Sequence, residues 1–148
     1  MISVKEINTK DTYQIRREVL RKNMNLPFEF TGDFDQETFH LGLFFNDELA
    51  SIVSFMKSNN KVFKEEQYQL RGMATKEKFQ GRGFGKILIK KSEELLINKN
   101  IKIVWCNARV IALNFYKKIG FKVIGEPFDI TQIGEHFVMF KRLEENEG

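Results

Sequence analysis

Gln80-Gly81-Arg82-Gly83-Phe84-Gly85-Lys86 is the segment whose residue types most directly suggest binding chemistry. Three alternating glycines and two cations stand just ahead of a periodic apolar run. Most helices begin on Ser, Thr, Asp or Asn and carry acids in the first turn, where the dipole is positive. Here Arg82 and Lys86 occupy that end, and each glycine inside a helix costs about 1 kcal/mol relative to alanine. An anion at this start would reverse the balance. Glycines let a phosphate approach the backbone, unpaired N–H groups point at it, and the cations complete its neutralisation. A flexible turn that happens to hold three glycines is an equally good reading of these residues alone. The G-x-G-x-G spacing is not the dinucleotide fingerprint. Gly85-Lys86 is followed by Ile87, where a Walker loop needs Ser or Thr.

Other reactive residue types are sparse. Cys106 ends an apolar stretch and reads as packed rather than nucleophilic, with no His-Asp pair identifiable for it. With one Cys and two distant His, no metal site is expected. His40 falls within a strand of an early hairpin and reads as structural, although its face could border a groove.

The elements that must position the glycine loop follow from periodicity. Residues 2–8 read as a strand, Asp11 to Met24 as a helix, and Asn25 to Asp35, with Pro27, Gly32 and three Phe, as an apolar loop or broken helix. Thr38–Phe45 and Leu49–Met56 flank Asn46-Asp47-Glu48 as a hairpin. Tyr68–Thr75 reads as a fourth strand, then a helix from Phe84 to residue 98 with Phe84, Ile87, Leu88, Lys91 and Leu95 on one stripe. Ile101–Cys106 is a compact apolar strand, Val110–Ile119 a short helix stopped by Gly120, and Phe121–Ile124 and His136–Lys141 two closing strands. The order is β-α-β-β-β-α-β-α-β-β, an α/β fold with a mixed sheet. Strands 68–75 and 101–106 should run parallel, since the helix between them makes a right-handed βαβ unit.

With 148 residues, the chain suits a single domain spanning 1–148. No basic-then-apolar leader opens it, and no run approaches the ~18 apolar residues of a membrane span. A lone cysteine fits a reducing compartment, so a cytoplasmic location with no membrane partner is expected. Net charge is +4, with the excess of Lys and Arg beyond residue 60. Those cations alternate with acids, as in Lys64-Glu65-Glu66 and Lys76-Glu77-Lys78, so no nucleic-acid partner is expected.

Taken together, Gln80-Gly81-Arg82-Gly83-Phe84-Gly85 resembles the Q/R-x-x-G-x-G/A pyrophosphate loop of the GCN5-related N-acetyltransferases, the GNAT family. Leu70-Arg71-Gly72-Met73-Ala74-Thr75 looks like that family's fourth strand. Asn107-Ala108-Arg109, Ala112, Phe115-Tyr116 and Gly120-Phe121 resemble its A-R-x-x-A-x-x-F-Y-x-K-x-G-F segment, and the element order matches over essentially the whole chain.

The resemblance implies a GNAT-like acyl-CoA N-acyltransferase fold, with strands 68–75 and 101–107 splayed around a pantetheine arm. It implies acetyl-CoA (coenzyme A) as donor and a small-molecule or peptide amine as acceptor. Main-chain groups of Met73, Ala74 and Thr75 would pair with the arm. Gln80, Gly81, Arg82, Gly83, Phe84, Gly85 and Lys86 would hold the pyrophosphate. Asn107 and Asn114 would be polar contacts to the cofactor, and Tyr116 the catalytic proton donor to the thiolate. The alternative for Met73 and Ala74 is ordinary strand packing, and a solvated helix position accounts for Asn114 nearly as well as contact.

A departing thiolate has a pKa near 8.5 and tyrosine near 10, so full proton transfer is uphill by roughly 2 kcal/mol. A hydrogen bond that strengthens late in the step suffices. For a base, the candidates are Glu126, Glu135 and His136, and Glu65 or Glu66 before the fourth strand, each reading first as a surface group. The resemblance places acceptor walls at Asn25–Phe30 and Gly125–Gly134. Glu29, Asp33 and Asp35 would give an acidic edge favouring a cationic amine, or be solvated acids over a covered core. A non-catalytic acyl-CoA-binding regulatory module is the alternative function, and a homodimer through the terminal strand is compatible with the sequence.

Overall fold

The computed structural model describes residues 1–144. They fall into two compact units, Met1–Lys57 with Leu70–Leu95, and Ser58–Gln69 with residues 96–144. The strands belong to one seven-stranded mixed sheet.

In the first unit, β1 (Ile2–Ile7), β2 (Phe39–Phe45) and β3 (Glu48–Met56) form an antiparallel run. Asn46 and Asp47 both take left-handed backbone, φ 49° and 69°. That is the two-residue turn whose twist matches a hairpin, and these are the side chains that tolerate it. Phe39 to Leu43 and Ala50 to Met56 are buried without alternation, as expected of strands covered on both faces. β4 (Gln67–Thr75) passes from the second unit into the first at Leu70. Ile15, Ile52 and Ala74 make a core cluster with Ile7, Val19, Leu20 and Leu49 against it.

The helix expected over residues 11–24 is shorter and irregular. A 3₁₀ turn (Thr9–Thr12) leads into α1 (Tyr13–Ile15) and then a π-type turn (Arg16–Leu20), closed by Arg21 N–H to the Arg16 carbonyl at 2.9 Å. Arg16 is wholly buried, so this segment is shaped around a charged side chain rather than an apolar stripe.

α2 (Phe84–Asn98) has the expected bounds but a different inward face. Phe84, Leu88, Ile89, Ser92 and Leu96 are buried, whereas Lys91 and Leu95 are exposed. Ser92 is tolerated inside because its hydroxyl donates to the Leu88 carbonyl at 2.7 Å. The stripe is therefore rotated by one position. The helix ends with Asn100 at φ 63°, the Ile101 N–H on the Leu96 carbonyl and the Asn100 N–H on the Ile97 carbonyl. This is a Schellman ending with asparagine at the left-handed position.

The second unit holds β5 (Ile103–Arg109), a 3₁₀ turn (Val110–Ala112), α3 (Leu113–Lys118), β6 (Lys122–Ile130) and β7 (Gly134–Arg142). Gln67 to Gln69 of β4 pair in parallel with Ile103 to Trp105, as the βαβ argument requires. β7 lies between β5 and β6 and is antiparallel to both. β6 and β7 run further than expected, with an irregularity between Ile124 and Phe128 and a tight turn at Gln132, φ 71°. Phe63, Ile103 and Trp105 form a core cluster, with Ile124, Val138 and Phe140 packed against it.

Candidate active site

The residues expected to carry chemistry fall into two groups, one in each unit. In the first, Gly81 and Gly83 have φ of 81° and 78°, a backbone that other residues adopt only under strain. A Cβ built on either would meet nothing within 4 Å. The glycines thus serve conformation and leave the surface above the loop open. The first bond of α2 joins Ile87 N–H to the Gly83 carbonyl at 3.2 Å. Phe84, Gly85 and Lys86 therefore supply the free amides of the first turn. Arg82 and Lys86 are exposed beside them. The Arg82 guanidinium rests 5.4 Å from the Phe45 ring centre and 5.6 Å from that of Phe79. Phe84 packs against the same two rings, at 5.4 and 6.0 Å, which anchors the helix start. Donors, dipole, cations and open space fit a diphosphate.

The loop is tied to β4 by Gln80, whose Nε2 donates to the Thr75 carbonyl at 3.0 Å. Lys76 N–H bonds to the Ala50 carbonyl at 2.8 Å, and the Thr75 and Ser51 hydroxyls meet at 2.6 Å. Met73 and Thr75 are partly buried, and Ala74 is buried in the core. Two residues earlier the strand is interrupted by Gly72 at φ 63°. A left-handed residue there breaks the two-residue alternation and re-aims its neighbours.

In the second unit Tyr116 is buried, with ring contacts to Phe115 at 5.1 Å and Phe121 at 5.3 Å. Gly120, at φ 101°, ends α3 as the sequence suggests. The Phe121 N–H bonds the Tyr116 carbonyl at 3.0 Å and the Gly120 N–H that of Lys117 at 3.1 Å. This Schellman ending fixes the backbone of Tyr116 from the C-terminal side. Burial, and secondarily Cys106, raise the phenol well above its ordinary value. It is therefore a neutral O–H donor at physiological pH. Burial likewise pushes the Cys106 thiol up, out of nucleophilic range. Asn107 is exposed opposite Val138 of β7, and Asn114 is exposed on α3.

The candidate bases separate clearly. His136 is buried, its Nδ1–H donating to the Gly134 carbonyl at 2.7 Å and its ring 5.8 Å from Phe128. Glu65 is paired with Arg142, while Glu126 and Glu135 are exposed.

A buried polar cluster in the first unit was not singled out by the sequence reading. Asp33, expected at an acidic edge, is 4% exposed and accepts from Arg16 Nη1 and Nη2 at 2.8 and 2.9 Å. Burial pushes its carboxyl up, but hydrogen bonds from Arg16 and the Phe30 amide outweigh this and hold it low. His40 is buried as expected, with Nε2–H donating to the Asp33 carbonyl at 3.1 Å. Its Nδ1 accepts from the Ser54 hydroxyl at 2.6 Å, and that oxygen accepts from Arg16 at 3.0 Å. Burial keeps the imidazole neutral by lowering its pKa. Arg16 hides inside an ordinary amphipathic pattern. Gly72, a glycine within a strand, was the available signal.

A model of the acetyltransferase (GNAT) family matches residues 3–121. The chain is 41% identical over 145 residues to an uncharacterized N-acetyltransferase, YitI, of Bacillus subtilis, covering 97% of each. The chain belongs to the GNAT family and is an acetyltransferase that uses acetyl-CoA. Its fold is similar to that of Escherichia coli ElaA, with a TM-score of 0.79 at 21% identity over 95% of this chain and 99% of that one. It is also similar to an aminoglycoside 6'-N-acetyltransferase complexed with coenzyme A, with a TM-score of 0.78 at 11% identity over 99% of each. Among the described residues no helix is long and apolar enough to cross a membrane.

Proposed function

We propose that this acetyltransferase moves the acetyl group directly from the thioester of acetyl-CoA to a primary amine of its acceptor. The observation that carries the reading is the start of α2, where open-faced glycines, free amides and two cations form an anion cradle. In this reading the amides from Gly81 to Lys86 hold the diphosphate, with Arg82 and Lys86 neutralising it. The main chain of Met73 to Thr75 pairs with the pantetheine arm, and Gln80 keeps loop and strand in register. Asn107 and Asn114 are polar contacts to the same cofactor.

Acetyl-CoA supplies an activated acyl group whose thiolate leaves when the amine attacks. Tyr116 is the group proposed to meet that thiolate. Its buried phenol holds its proton tightly, so it donates a hydrogen bond to the developing charge rather than surrendering the proton early. A covalent enzyme intermediate on Cys106 is not part of the reading, because the thiol stays protonated.

Isothermal titration with acetyl-CoA tests the cradle. Binding tighter than millimolar supports it, and weaker binding ends it. A panel of polyamines, aminoglycosides, amino acids and peptide N-termini, followed by thiol release, tests the transfer.

A further inference from the structure

Phe30 is buried, and cationic side chains crowd its ring. The guanidinium carbons of Arg16, Arg71 and Arg21 lie 3.8, 4.5 and 5.4 Å from the ring centre. Asp33 is the carboxylate that acts on Arg71 through space, and it is already bound twice by Arg16. Asp33 is thus committed to Arg16.

Two donors in this cluster are poorly satisfied. Arg16 Nε is a fully buried N–H with no hydrogen-bond partner among the described residues. It faces Gly72, where a Cβ would come within 3.4 Å of it and within 2.9 Å of the Phe30 ring. Among the described residues, the hydrogen bonds of Arg71 are long ones through Nη1, to the Thr31 carbonyl at 3.5 Å and the Met56 sulfur at 3.8 Å. A guanidinium presents five N–H donors in a planar fork suited to carboxylates. Leaving it half-buried with such contacts is costly unless a ligand completes it. Burial, and then the like charge of Arg16, also lower the Arg71 pKa, as expected for a cation lacking its counter-ion.

We propose that Arg71, lying on the Phe30 ring beside the buried Arg16, receives a carboxylate of the acceptor, so that the acceptor is a primary amine that is also an acid. This rests on the reading given under Proposed function. Arg71 lies two residues before Met73 on β4, about 7 Å along a strand. With Met73 to Thr75 assigned to the pantetheine arm, the amine and carboxylate of the acceptor are separated by a few bonds. An amino acid or a very short peptide has that chemistry. Polyamines and aminoglycosides, which carry no acid, do not.

The test compares matched pairs: glycine, β-alanine, glutamate, phenylalanine and glycylglycine against their carboxamides. Each is titrated into protein saturated with coenzyme A, and assayed for turnover with acetyl-CoA. For at least one pair the acid should be favoured about tenfold or more in Kd or kcat/KM, the scale of one charged hydrogen-bonded pair. Arg71→Gln should bring the ratio to within about twofold with the acetyl-CoA Kd unchanged, and Arg71→Lys should retain part of the preference. Parity between acid and amide in every pair, or an acid preference that survives Arg71→Gln, overturns the proposal. Turnover of neutral amines without acid preference would leave the transfer reading standing and sink this one. Acid binding lost in Arg71→Gln, with no turnover of any amine, would do the reverse.

Discussion

Arg16 and Asp33 meet through two parallel hydrogen bonds of 2.8 and 2.9 Å, with both side chains almost wholly out of solvent. Breaking a buried ion pair from one side leaves the other charge uncompensated. Asp33→Ala should therefore lower unfolding free energy by about 3–5 kcal/mol, measured by urea denaturation. A loss below about 1 kcal/mol would show that the pair contributes little beyond packing.

Acid should weaken the fold in two stages. His40 has its pKa lowered in the folded state, so unfolded chains take up its proton first as pH falls below its ordinary value of 6.5. Stability from this group is full above that pH and declines below it until the folded imidazole also titrates. Asp33 is likewise held low, so its contribution is present above 3.8 and is lost as pH falls through its folded pKa. His40→Gln should flatten the first decline in thermal midpoints measured across pH. An unchanged profile would remove His40 from the account.

Tyr116→Phe removes one hydroxyl and keeps the ring contacts with Phe115 and Phe121. If Tyr116 serves the thiolate, kcat should fall by about 10²-fold, with the acetyl-CoA KM nearly constant and a preserved melting temperature. Equal kcat in the two proteins would leave Tyr116 a packing residue.

Gly83→Val forces a branched side chain into φ 78° and places it over the open loop. Coenzyme A binding should weaken by roughly tenfold or more, since relieving about 1–2 kcal/mol of strain moves the loop out of its binding conformation. Acetyl-pantetheine, which lacks the diphosphate, should be used as well by the variant as by the parent. A matched loss for both donors would locate the defect elsewhere than in anion binding.

Cys106 is buried and its thiol is held protonated. Native protein should resist iodoacetamide at neutral pH and alkylate only after unfolding, as followed by mass spectrometry. Rapid labelling with full loss of activity would contradict a packed role.

The hairpin at Asn46-Asp47, the glycine loop and the Gly120 stop were legible because each depends on local backbone conformation. The inward face of α2 was misjudged by one position, since Ser92 satisfies its own hydroxyl and so can sit where an apolar residue was expected. Arg16 and Asp33 were not legible: they stand seventeen positions apart, and their pairing exists only once the Arg16–Leu20 turn and the following loop have folded. The lengths of β6 and β7 were missed because Gly125, Pro127 and Gly134 read as punctuation, whereas the pairing resumes from Phe128 opposite His136.

β7 enters between β5 and β6, both of which precede it in the chain. During synthesis those two earlier strands emerge from the ribosome before the strand that joins them exists. The second unit cannot close until Arg142 has cleared the exit tunnel, and a nascent chain halted before that point exposes an unpaired edge to chaperones.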